Sequence, residues 1–184
     1  MPRILVPDGM APLQRADELA PAIRRANRRL RQATLDETRL PITEIEVLRV
    51  RSAQLNGCQT CLGYRMARDD PERAAGAEDR LTDDFYAAIL GERDLGVLTE
   101  RERLVRELTD RFITDHFSLD GDESFWSRVK AAFDDAELVE LTMTIASFSM
   151  SARFNHVLGL DEVCEIDWPG KRAPRVRQPD AARS

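Results

Sequence analysis

Cysteine, histidine, lysine and tyrosine are all scarce in this chain. Its 184 residues hold three cysteines, two histidines and two tyrosines, and the only lysines are Lys130 and Lys171. Arginine carries almost all the positive charge, which reads as compositional bias rather than function. No apolar run approaches the 18–20 residues of a membrane helix, which excludes a spanning segment of that kind. Alternating runs of Val, Ile, Thr and Tyr are missing, and no turn signal joins two apolar runs, which excludes a β-rich fold. No repeat at a solenoid period occurs. The formal net charge is −6 and the pI is near 5.1, which argues against general nucleic-acid binding despite a short basic tail from Lys171 to Ser184. Met1 to Ala11 lacks the charged and then apolar pattern of a secretory signal, so a cytoplasmic location is expected. In that reducing setting a close cysteine pair reads as redox or metal chemistry, not as a staple.

What is present is one helical pattern after another in a composition that is 42% hydrophobic and 33% charged. An all-α bundle of about six to seven helices is expected, as a single domain over residues 1–184 with its core in about 12–160 and a C-terminal extension over 161–184. The first helix is expected from Ala11 to Gln32, with Leu13, Leu19, Ile23 and Leu30 on a loose apolar face. Thr43 and Glu46 have capping-box spacing at the start of the second, which Asn56-Gly57 ends. A third is expected from Cys58 to about Asp69, followed by a polar connection over Pro71–Asp79 and a fourth helix from Thr82 to Gly91. Thr99 and Glu102 open a fifth, carrying Leu104, Val105, Leu108, Phe112 and Ile113. Asp120-Gly121-Asp122 is a turn. Phe125, Trp126, Val129 and Phe133 mark a short sixth helix. Asp134 and Glu137 open a long last one, with Leu138, Leu141, Ile145, Phe148 and Ala152 at helical spacing and an end near Gly159. Trp168-Pro169-Gly170 reads as a surface turn.

The chemistry-bearing motif is Cys58-Gln59-Thr60-Cys61. Three residues apart on a helix, the thiols share a face and come close enough for a disulfide after modest adjustment. A helix start favours thiolate over thiol, and thiolate is the form that attacks peroxides and disulfides. Arg65, four residues after Cys61, is expected on the same face and would add positive charge. A pair of inert buried cysteines is the plain alternative. Zinc would require four ligands, and Cys164, His116 and His156, all without finger-like spacing, are the only other cysteine and histidine residues. A thioredoxin-type motif follows a strand, whereas here a helix precedes it. Glu46 is explained by capping alone, or as a base partly removed from water. His156, expected on the inner side of the last helix, could join a relay or simply complement the helix end; His116 reads as a helix-end residue. Arg153 and Asn155 read as a surface or interface salt bridge, Tyr64 as packing or pocket lining, Phe125-Trp126 as core or subunit contact, and Cys164 as a bystander.

The stretch Glu46-Val-Leu-Arg-Val-Arg-Ser-Ala-Gln-Leu-Asn-Gly-Cys58-Gln-Thr-Cys61 resembles the alkylhydroperoxidase AhpD-like branch of the carboxymuconolactone decarboxylase family. That branch has a glutamate twelve residues before a Cys-x-x-Cys, with an Asn-Gly-type turn just ahead of it. The later segment from Leu98 to Leu160, including Arg153-Phe154-Asn155, is similar more weakly. The resemblance implies an all-α fold assembled into trimers or hexamers. It also implies a catalytic set of Cys58, Cys61 and Glu46, with Cys61 attacking a hydroperoxide and Cys58 resolving, although helix position argues for the reverse order. No metal or organic cofactor is implied; the partners are a hydroperoxide and a peroxiredoxin or dithiol electron donor. Arg65 stands where the branch has a histidine, and an arginine cannot shuttle protons near neutrality. A non-enzymatic redox adaptor or sensor, and decarboxylase-like chemistry with Arg65 holding a small carboxylate, are the other expectations.

Overall fold

A computed structural model describes residues 2–160. Among them the chain forms nine α-helices and no strand: α1 (Pro12–Leu19), α2 (Pro21–Asp36), α3 (Ile42–Asn56), α4 (Gln59–Gly63), α5 (Met66–Asp69), α6 (Asp83–Leu90), α7 (Glu100–Thr114), α8 (Glu123–Ala132) and α9 (Asp135–Leu158). Seven of them have eight residues or more, in agreement with the expected all-α bundle. Cys164 and Trp168-Pro169-Gly170 lie outside the described residues.

α3 is the axis of the bundle. Every residue from Glu44 to Val50 is buried, so this helix is covered on all sides rather than along one stripe. α7 and α9 lie along it, and α4 and α6 close the remaining faces. Ile45, Leu48, Phe85, Ile89, Leu104, Leu108, Leu141 and Ile145 are fully buried where these helices meet. Each such side chain contributes about 1.5–3 kcal/mol relative to exposure.

The helix starts are set by local chemistry that also ties the bundle together. Both Thr99–Glu102 and Asp134–Glu137 form complete capping boxes. Their carboxylates take arginines as well: Arg80 Nη2 lies 2.7 Å from Glu102 Oε2, and Arg101 Nη2 2.9 Å from Glu137 Oε1. Arg101 also pairs with buried Glu44 at 2.7 Å, so one guanidinium joins the starts of α3, α7 and α9. The predicted α6 boundaries hold, with Thr82 capping the start and Gly91 ending it at φ +81°.

Three sequence expectations are corrected. The first helix is two, because Pro21 pushes Ala20 out of helical geometry (φ −135°, ψ 58°) and cannot donate a helical N–H. The Thr43–Glu46 capping box does not form: the N-cap is Pro41, two residues earlier, and Glu46 turns into the interior. The helix expected over Cys58–Asp69 is broken into α4 and α5, with Tyr64 and Arg65 extended between them. Arginine side chains occupy the carbonyls that a continuous helix would use: Cys61 O accepts from Arg49 Nη1 at 2.7 Å, Tyr64 O from Arg49 Nη2 at 2.7 Å, and Leu62 O from Arg65 Nη1.

Thr99→Ala removes the side-chain acceptor of the α7 capping box. It is expected to lower stability by about 1 kcal/mol, a drop of about 2–4 °C in Tm, with Thr99→Ser restoring most of it. Thermal unfolding followed by far-UV circular dichroism checks this.

Candidate functional site

α3 ends where the dithiol begins. Gly57 adopts φ +73°, and Cys58 N–H reaches back to Ala53 O at 2.9 Å, a left-handed helix stop. That reversal makes Cys58 the N-cap of α4, where its Sγ accepts from Cys61 N–H at 3.3 Å. The two cysteines are not joined in a disulfide; Cys58 is buried and Cys61 half-buried. The helix they open has five residues, so it supplies little of the field that the longer expected helix would.

Directly behind the pair is a buried ion pair. Glu46 is fully buried and Arg49 nearly so. Arg49 Nε donates to Glu46 Oε1 and Nη2 to Oε2 at 3.0 Å. The same Oε2 accepts from Tyr86 OH at 2.6 Å and from Met66 N–H at 3.3 Å. Glu46 therefore meets four donors from three parts of the chain. Arg49's other contacts hold the dithiol segment, through Cys61 O and Tyr64 O, and its guanidinium lies 5.1 Å from the centre of the Tyr64 ring. Burial pulls the Arg49 guanidinium down, but the Glu46 charge and hydrogen bonds outweigh it and leave Arg49 above the usual arginine value; negative charge on Cys61 acts in the same direction. Burial first, then the Glu46 carboxylate, raises the Tyr86 phenol well above its ordinary value.

Arg65 is buried beside this network. The break at Tyr64–Arg65 removes it from a common helix with the cysteines. Its guanidinium sits 4.4 Å from the Tyr86 ring centre and donates to Leu62 O and, at 3.0 Å, to Tyr64 O. Burial and then the Arg49 charge push it down to about 10, so it remains a cation at neutral pH.

The other expected residues fall apart from one another. His156 is on the exposed side of α9, not its inner side, yet its ring reaches the dithiol turn: Nδ1 lies 3.3 Å from where a side chain on Gly57 would begin. His116 is exposed and stacks against Phe117, with ring centroids 4.1 Å apart. Among the described residues Arg153 makes hydrogen bonds and no ion pair, to Asn56 Oδ1 at 2.7 Å and Ile113 O at 2.9 Å. Phe125 is core, and Trp126 donates to Leu119 O at 2.9 Å. Among the described residues, no group of three or more His, Cys, Asp or Glu is arranged to hold a metal.

Sequence reasoning missed Arg49 and Tyr86. Arg49 had a signal: a charged residue one turn after Glu46 on a helix that is otherwise apolar from Ile45 to Val50. Tyr86 had none, since forty residues separate it from Glu46 and the contact exists only once α6 packs on α3.

Arg49→Met strands a buried carboxylate and two carbonyls, and is expected to cost about 3–5 kcal/mol in urea unfolding. Tyr86→Phe is expected to cost about 1–2 kcal/mol. The double variant Glu46→Leu/Arg49→Met should lose clearly less than the sum of its single variants; strictly additive losses would show that the pair is not coupled.

No known family profile matches this chain, and no curated protein does.

Proposed function

We propose that this protein is a dithiol oxidoreductase of the thiol-peroxidase type, reducing hydroperoxides through Cys61 and Cys58. The observation that carries this reading is an unjoined cysteine pair, one thiol reachable and one buried, set against a buried cation that is electrostatically coupled to the reachable one. A guanidinium so placed favours the thiolate, the reactive form. The resemblance of residues 46–61 to the AhpD-like branch supports the same chemistry.

In this scheme the Cys61 thiolate attacks one peroxide oxygen. The O–O bond breaks, the alkoxide leaves and takes up a proton as an alcohol, and Cys61 becomes a sulfenic acid. Cys58, hidden from bulk solvent, attacks the Cys61 sulfur and displaces hydroxide, giving the disulfide. An external dithiol, free or carried by a partner protein, returns the two electrons by thiol–disulfide exchange and leaves as its own disulfide. Glu46 acts through Arg49 as a positioning residue, because its oxygens are already occupied by four donors. The leaving-group proton then comes from solvent at the half-exposed Cys61, since Arg65 stands in the place of the branch's histidine and keeps its charge.

The substitution at Arg65 also favours a second reading: a redox adaptor that exchanges disulfides with a partner without meeting peroxide. Arg65 as a clamp for a carboxylate substrate is less well supported, because its guanidinium is buried and donates to two backbone carbonyls.

The test is loss of free thiols on mixing the reduced protein with cumene hydroperoxide. Wild type is expected to lose two thiols faster than a free small thiol does. Cys61→Ser should abolish the fast phase. Cys58→Ser should keep it but accumulate a sulfenic acid that a dimedone-type reagent traps. A wild-type rate no greater than that of the small thiol overturns the peroxidase and leaves the adaptor.

A further inference from the structure

α2 lies along α9 in the opposite direction: Arg24 stacks over Phe154 at 4.8 Å, Asn27 Nδ2 reaches Ser151 Oγ at 3.4 Å, and Thr38 Oγ1 donates to Glu140 at 2.8 Å. Yet α2 buries none of its residues. On α9, Val139, Met143, Ala146, Met150, Arg153 and Val157 follow one another at alternating steps of four and three. On α2, Ile23, Ala26, Leu30 and Ala33 do the same, and the next step reaches Glu37. Alternating three and four is the spacing of a seam that packs against another helix. The large members are exposed, Ile23 by 74%, Val157 by 68% and Val139 by 62%, with Met143, Met150 and Leu30 also open. Where the rows end together, Val139 and Met143 share a groove with Ala33, Thr34 and Glu37.

Charge along this face is polarised. The end formed by the start of α2 carries Arg25 and Arg29 beside the row, neither with an ion pair among the described residues, while Arg24 and Arg28 turn to Asp17 of α1. The opposite end carries Asp36, Glu37 and Glu140, of which Glu37 has none. Two copies can meet face to face about a two-fold axis along the helices or across them. The first lays basic end on basic end. The second lays basic on acidic, with α2 over α2 and α9 over α9, each pair antiparallel.

We propose that this face pairs with the same face of a second copy about a two-fold axis across the helices. Leu30 and Met150 would lie near its centre, and Arg25 of each copy would approach Glu37 of the other. The α9 row is about 27 Å long at 1.5 Å per residue, and with α2 beside it the patch is on the order of 500 Å² per copy. Two such patches make about 1,000 Å², the size at which a specific interface begins.

Sedimentation equilibrium of the full chain at about 50 μM tests this. The expected mass is twice 20.9 kDa, or three such pairs if they build the hexamer that the resemblance implies, and a trimer overturns the proposal. Met143→Glu/Met150→Glu is expected to raise the dimer dissociation constant at least ~100-fold with unchanged helical circular dichroism, and Ile23→Glu, on a helix without buried residues, is the second variant should the first misfold. Arg25→Glu should weaken association about tenfold, and Arg25→Glu/Glu37→Arg should restore it. A monomeric wild type overturns the proposal, as does an oligomer that survives both the α9 and the α2 substitutions. A charge swap that restores nothing overturns the antiparallel placement.

Discussion

A carboxylate and a guanidinium withdrawn from water together, Glu46 and Arg49, govern how the inner half of the molecule is arranged. Removing either ion from solvent costs several kcal/mol, and the mutual attraction offsets this only when the remaining donors and acceptors are also met. Arg49 therefore needs carbonyl oxygens on its far side, and the segment after Cys58 must bring Cys61 O and Tyr64 O to it. Glu46 needs further donors, so α6 must present Tyr86 and α5 must begin where Met66 N–H can reach. The interruption between α4 and α5 follows from these demands. The cysteines inherit their setting from this charge pair, whose guanidinium holds the backbone of their segment.

Arginine serves this structure in a way lysine could not. Arg101 binds Glu44, Glu137 and the Ala132 carbonyl while its face rests on Phe133, 4.1 Å from the ring centre. Arg49 does the equivalent around the dithiol. A planar group with five N–H donors can join three elements at once, whereas an ammonium acts as a point charge. Joining the starts of α3, α7 and α9 through capping carboxylates places the ends of the bundle in register before the apolar packing between them is considered.

The parts of the fold legible in the sequence were those written in local chemistry. The boxes at Thr99 and Asp134, the stop at Gly57 and each limit of α6 depend on residues within about one turn of each other, and the structure has each of them where the sequence places it. At Thr43 the capping spacing is genuine as a pattern, but burial of Glu46 with Arg49 outcompetes it, and of the two readings open for Glu46 its burial agrees with the carboxylate removed from water. The break in the helix after Cys58 is not legible because nothing within residues 58–69 announces that Arg49, on the preceding helix, will take the carbonyls of Cys61 and Tyr64. Of the site, the cysteines and Glu46 were visible at their spacing. Tyr86 was not, since its role arises from packing across forty residues.

Gly57 carries a consequence of a different kind. A glycine chosen for its backbone angle alone can be exchanged for asparagine at modest cost. Here the space a side chain would enter is held by the ring of His156, with Nδ1 3.3 Å from the site of the missing carbon. Two independent demands thus fall on one residue, one from its own turn and one from the far end of α9. A side chain at position 57 requires the His156 ring to give by a few tenths of an ångström, on top of the strain of a left-handed backbone. A smaller residue at position 156 removes that requirement, so what one site tolerates is set by the occupant of the other.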